Sequence, residues 1–164
     1  MNKLLISAGA LAATALSTPA FAATNTATAN ATVNIVSPLT LTNNTGLDFG
    51  TVVGPFSGQT VRISTAGVRN CGGLTCSGTT VSAANFTVSG GTANQALALT
   101  VDPSVSLTSG ANSLTVDLTT DLPTGLVTNA SGGATFGVGG SLAIPAGTSD
   151  GVYSGTFNVQ VDYQ

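Results

Sequence analysis

The alternation of apolar and polar residues is cleanest near the two ends of the chain. From Gly151 to Gln164, reading GVYSGTFNVQVDYQ, the odd positions Tyr153, Gly155, Phe157, Val159, Val161 and Tyr163 are apolar, aromatic or small, and the even positions from Ser154 to Asp162 are polar. A period of two puts the two sets on opposite faces of an extended backbone, so this stretch is predicted to be a strand with one buried face. The same period occurs near the start. There Ala27, Ala29, Ala31, Val33 and Ile35 alternate with Thr28, Asn30, Thr32 and Asn34. Pro38 interrupts the series, and Leu39 and Leu41 resume it after a shift of register, as at a strand break or bulge.

Shorter runs of the same kind fill the middle. Leu47, Phe49 and Val52 follow the turn signal Asn43-Asn44-Thr45-Gly46, and Val61 with Ile63 marks the next run. Val81, Ala83 or Ala84, Phe86 and Val88 predict another strand, and Leu97, Leu99 and Val101 one that stops at Asp102-Pro103. Val105 and Leu107 continue beyond that stop, Leu114, Val116 and Leu118 follow, and a Gly-rich stretch carries Phe136 and Val138 before Leu142 and Ile144. Beyond the first residues, no window of about 11 residues keeps a helical period. Strands recurring about every 8 to 15 residues, with turn residues between them, predict an all-β, immunoglobulin-like antiparallel β-sandwich.

The first residues have a different pattern. Met1 to Lys3 is a positive start, Leu4 to Leu16 an apolar and small-residue run, and Ala20-Phe21-Ala22 an A-x-A site, which together predict a signal peptide over 1–22 cut between Ala22 and Ala23. The run is too short for a transmembrane helix, and no later stretch approaches the length one needs. The expected organisation is a signal peptide at 1–22, an N-terminal segment at 23–36 and a sandwich domain at 37–164. Export also gives the cysteines a meaning. Cys71 and Cys76, in NCGGLTCSG, are predicted to form a disulfide across a tight loop. Zinc would need further soft ligands that the chain lacks, and a redox pair more typically has the spacing C-x-x-C.

Composition narrows the function by exclusion. The chain has no His, no Trp and no Glu, its one Lys is Lys3, and charged residues make up 5%. With Lys3 removed, Arg62 and Arg69 face six Asp residues, and the sequence pI is near 4.1, so there is no basic patch for a nucleic acid. The expected chain is no enzyme and has no cofactor or small-molecule substrate, because it offers no imidazole base, no Ser-Lys pair and no Glu acid. Asp48, Asp102, Asp117, Asp121, Asp150 and Asp162 are scattered, mostly in turns or at strand edges. Asp117, Asp121 and Asp150 are candidates for calcium, but they lack the D-x-D-x-D spacing of a loop site. Gly132 to Gly140 contains no Lys and opens no helix, so it is no phosphate loop. Four N-x-[ST] matches, at Asn30, Asn43, Asn85 and Asn129, are what chance gives in a chain so rich in Thr and Ser. Two Tyr and six Phe are too few for the aromatic girdles of an outer-membrane barrel.

The C-terminal stretch resembles the signature of chaperone-usher pilus subunits, with a Gly fourteenth from the end, alternating apolar residues and a penultimate Tyr. In this chain these are Gly151, then Tyr153, Phe157, Val159 and Val161, then Tyr163. Over nearly all of 27–164, with PLTLTNNTGLDFGTV, NCGGLTCSGTT and AIPAGTSDGVYSGTFNVQVDY, the chain is also similar to exported alphaproteobacterial proteins related to the spore-coat-U-like, archaic chaperone-usher pilins. The resemblance implies a sandwich lacking its final strand and completed by a donor strand. It implies a cell-surface fimbria of copies of this chain or related pilins, assembled with a periplasmic chaperone and an outer-membrane usher. Phe157, Val159 and Val161 would pair with the chaperone and then with the next subunit's extension, whose Ala27, Ala29, Ala31, Val33 and Ile35 would enter its pockets. Residues 24–35 have a second expectation, as this domain's own first strand. The alternative function is a self-complete sandwich acting as a surface adhesin or glycan-binding module.

Overall fold

The computed structural model describes residues 25–122 and 125–164. The predicted signal peptide and its cleavage site at Ala22 and Ala23 lie outside them. The chain divides into two units between Asn34 and Ile35, the second being Ile35–Gln164. Of the first, the described residues 25–34 form no strand and are exposed. The period of two in Ala27–Val33 therefore has no ladder to join, because alternation suits a strand but pairing makes one.

In the second unit the predicted all-β class is what the backbone adopts. Twelve strands and no helix occur among the described residues: β1 (Thr40–Thr45), β2 (Thr51–Val53), β3 (Gln59–Ile63), β4 (Arg69–Asn70), β5 (Thr75–Ser77), β6 (Ala84–Ser89), β7 (Ala96–Val101), β8 (Ser104–Ser109), β9 (Asn112–Thr120), β10 (Leu126–Val127), β11 (Ala134–Ile144) and β12 (Val159–Tyr163). All named pairings are antiparallel, and the sheets form a β-sandwich. Local sequence explains each element. In β6, Ala84, Phe86 and Val88 are buried and alternate with the outward Asn85, Thr87 and Ser89. Between β8 and β9 the loop is Gly110-Ala111, with Gly110 at φ 60°, the glycine-first turn that suits the twist of a hairpin.

The larger layer is a curled sheet of seven strands built around β11. Its first half pairs β6, which pairs β1; its second half pairs β3 on that edge and β9 on the other, followed by β4 and β8 respectively. Val138 is the crossover, opposite both Ala84 and Thr120. The glycines around it make the curl possible. A Cβ at Gly137 would collide with the carbonyl of Thr65, and one at Gly139 with the carbonyl of Ile63, because the chain leaving β3 passes against this backbone. The Gly-rich stretch is thus the interior of the longest strand in the fold.

The second layer is the three-stranded sheet β10-β7-β12, and β2 with β5 makes a small separate pair. Two apolar clusters result. One, within the curl, holds Val61, Ile63, Val105, Leu114, Val116, Leu142 and Ile144. The other lies between the layers and holds Phe86, Val88, Leu97, Leu126, Phe136 and Val138, with the Phe86 and Phe136 rings stacked at 5.3 Å. Each fully buried Val or Leu stabilises the fold by roughly 1.5–3 kcal/mol. Leu47, Leu118 and Phe157 are half-buried and touch both clusters.

The cysteines form the predicted disulfide, Cys71–Cys76. Cys71 follows β4 and Cys76 lies in β5 opposite Val52, so the bond ties the β2–β5 pair to the main sheet. Arg69 adds to this tie, donating to the carbonyls of Phe49, Ser77 and Gly78. Replacing both cysteines with serine is expected to lower unfolding free energy by about 2 kcal/mol, the chain-entropy value for so short a ring, measured by chemical denaturation. An unchanged midpoint would show that Arg69 alone holds this corner.

Candidate functional site: a groove along the C-terminal strand

The C-terminal stretch keeps its predicted alternation but not its predicted length. Tyr153, Phe157, Val159, Val161 and Tyr163 are all half-buried, and the residues between them are exposed. Regular pairing is confined to β12, which runs along β7 from Val159 opposite Val101 to Tyr163 opposite Leu97. Upstream, Ser154 makes a bridge with Thr108 of β8, through N–H···O bonds of 2.8 and 3.1 Å. The register shifts between these two pairings because Pro103 separates β7 from β8. Asp102 spans the break, its carboxylate accepting the Asn158 N–H at 2.7 Å and the Asn158 amide at 3.1 Å. Gly155 permits the close approach to β8, since a Cβ there would collide with the Ser106 carbonyl. Gly151 is exposed, and a Cβ there would press on the Ser109 hydroxyl at 2.5 Å.

One edge of β12 is taken by β7, and no strand among the described residues pairs the other. Two clefts lie along the C-terminal stretch, one beside the residues that precede β12 and one at its end. At the Tyr153 end a chamber of about 740 Å³ opens between residues 47–52 and 148–157, floored by Val105, Leu107, Leu114, Val116, Leu142 and Ile144 and walled by Leu47, Phe49, Val52, Phe56, Tyr153 and Phe157. Asp48 and Asp150 stand among its polar lining. At the Tyr163 end a smaller cleft of about 400 Å³ lies between Val36–Leu39 and Val161–Tyr163. Leu39 and Leu41 face the same cluster as Val159 and Val161. The smaller cleft thus lies between the segment that leads into β1 and the last strand, β12.

The Tyr163 hydroxyl fixes the narrow end. It accepts the Thr92 N–H at 2.8 Å and donates to the Ser37 carbonyl at 2.6 Å, so one phenol holds both walls. Thr92 is in turn held by Thr128, a buried polar residue whose hydroxyl donates to the Thr92 carbonyl at 2.7 Å. At the wide end the Tyr153 hydroxyl donates to the Ser149 carbonyl at 2.9 Å.

Of the other residues singled out in the sequence, Ala27, Ala29, Ala31 and Val33 are exposed in 25–34, and Ile35, at the start of the second unit, is 85% exposed. Sequence reasoning missed most of the chamber, notably Leu47, Phe49, Val52 and Phe56, and the Ser37 carbonyl. The apolar signal was present in the first four, but their convergence depends on the curl of the large sheet. Asp48 and Asp162 act locally: Asp48 accepts the Gly50 N–H at 2.8 Å and Asp162 the Gln160 amide at 2.7 Å.

Fold and clefts together define an antiparallel β-sandwich in which β12 is one of several edge strands and in which core residues such as Val105, Leu114, Val116, Leu142 and Ile144 line an open chamber. The family model described as a domain of unknown function (DUF4402) matches residues 39–163, and the chain belongs to that family. No curated protein and no solved structure matches the chain significantly.

Proposed function

We propose that this protein is a structural subunit of an extracellular fibre, completed and polymerised by donor-strand exchange. The observation that carries the reading is the free side of β12 together with the half-buried row Phe157, Val159 and Val161, of which Phe157 lines the larger chamber and Val161 the smaller cleft. An unpaired strand edge over an open core is an aggregation hazard unless something covers it. An added strand covers both, its backbone pairing the edge and its alternate side chains filling the groove. The exposed Ala27–Ile35 segment has the alternation required of such a strand.

On this reading the chain is exported through its signal peptide, covered by a periplasmic chaperone, delivered through an outer-membrane usher and carried at the cell surface, as in the chaperone-usher pilins its sequence resembles. It does no catalysis. Gel electrophoresis of cell-surface protein tests the proposal: without boiling, a ladder of oligomers that collapses to monomer on heating is expected. A single monomer band before heating overturns it and favours a self-complete adhesin or glycan-binding sandwich.

A further inference from the structure

Asp150-Gly151 is the one step in the sequence at which an Asp or Asn precedes a Gly. That pairing carries a chemistry of its own. The backbone nitrogen that follows an aspartate can attack the side-chain Cγ, and a glycine, with no Cβ to shield its N–H and a freely turning backbone, obstructs the attack least. The other five aspartates precede Phe49, Pro103, Leu118, Leu122 and Tyr163, which are bulky or, for Pro103, have no N–H.

The fold leaves this step free to react. Residues 148–150 have no regular structure, and Asp150 and Gly151 are both exposed. Among the described residues neither the Asp150 carboxylate nor the Gly151 N–H has a hydrogen-bond partner, whereas Asp48, Asp102 and Asp162 each accept from a neighbouring N–H. Packing favours the glycine as well. A Cβ at 151 would lie 2.5 Å from the Ser109 hydroxyl oxygen and 3.3 Å from its Cβ, which leaves little room for a side chain.

We propose that Asp150 is a site of spontaneous conversion to isoaspartate. The Gly151 nitrogen bonds to Cγ of the protonated Asp150 carboxyl group, the Cγ–hydroxyl bond breaks, and the hydroxyl leaves with the nitrogen's proton as water. A cyclic imide results. Water then adds to one of its two carbonyls. Opening at Cγ restores aspartate. Opening at the Asp150 main-chain carbonyl breaks that carbon's bond to the Gly151 nitrogen, frees it as a carboxylate, and leaves the chain running through Cβ and Cγ.

The consequence follows from where the step sits. The Tyr153 hydroxyl donates to the Ser149 carbonyl, closing a loop over 149–153, and Ser154 is bridged to Thr108. Isoaspartate adds one carbon to the main chain inside that loop, roughly 1.5 Å of path. The closed loop cannot absorb it, so the Tyr153–Ser149 bond is lost and this wall of the chamber opens. The change accumulates with the age of the protein and does not depend on the donor-strand reading.

Ageing the full chain at neutral pH, after purification from the cells that export it, tests the proposal. Isoaspartate is read by methyltransferase labelling and placed by electron-transfer fragmentation of the peptide that spans residue 150. Label at 150 is expected to rise with time. It should be absent from Asp150→Glu, whose longer side chain would have to close a larger ring. It should appear more than about tenfold faster in Asp150→Asn, where ammonia leaves in place of water. Hydrogen exchange of the 149–153 backbone is expected to rise in the modified fraction. No label at 150 in the aged protein, equal label in Asp150→Glu, no acceleration in Asp150→Asn, or unchanged exchange in the modified fraction overturns the inference.

Discussion

Deletion of residues 24–33 is expected to abolish the polymer while leaving a folded, exported domain. Every buried residue of both apolar clusters lies in 35–164, and residues 25–34 are exposed. The domain's own contacts are therefore untouched, and its unfolding free energy should stay within about 0.5 kcal/mol of the undeleted monomer. The polymer depends on the deleted alternation, so the unheated ladder should vanish and protein should accumulate as chaperone-bound monomer. Fibres of normal length from the deleted chain would sink the donor-strand proposal. Loss of all folded protein would show that the segment belongs to its own domain's core.

The other large effect is expected inside the sheet. Gly139→Ala should destabilise the domain by about 3 kcal/mol or more, because the new methyl meets peptide atoms of residues 63–65 and backbone cannot move aside as a flexible side chain can. Gly46→Ala is the matched control: no atom lies within 4 Å of a Cβ there, and its φ is ordinary. Urea denaturation of both variants reads the difference. Equal midpoints would mean that the passage of residues 63–65 across β11 is not what requires the glycine.

These two sites also mark where the fold was legible in the sequence. Strands whose buried residues are Val, Ile, Leu or Phe were predicted from alternation alone, as with Val61 and Ile63 in β3 or Leu114 and Val116 in β9. Glycine gives no such signal, so Phe136 and Val138 stood apart from Leu142 and Ile144 in the sequence, although Gly137–Gly140 joins them as the centre of one long strand, β11. The very short strands β4 and β10 are too brief to show a period. The N-terminal segment failed in the opposite way, its strand pattern being clear while no strand forms in the single chain. Alternation reports which face a strand would bury, whereas hydrogen-bonding depends on a partner elsewhere. Half of the candidate site was legible for the same reason. Tyr153, Phe157, Val159, Val161 and Tyr163 lie on one strand-like stretch, whereas Leu47, Phe49, Val52 and Phe56 join them only through tertiary curvature.

The strut at Tyr163 has a mechanical side. It pins Ser37, at the entrance to the domain, to the last strand, and β1 and β12 are each anchored along their length by one named partner, β6 and β7. A pull delivered along these strands slides each ladder lengthwise, so its hydrogen bonds share the load rather than opening one after another. The same domain pulled across the ladders would unzip bond by bond. In the fibre proposed above, subunits joined end to end would be loaded in the first way and would resist stretching far better than peeling.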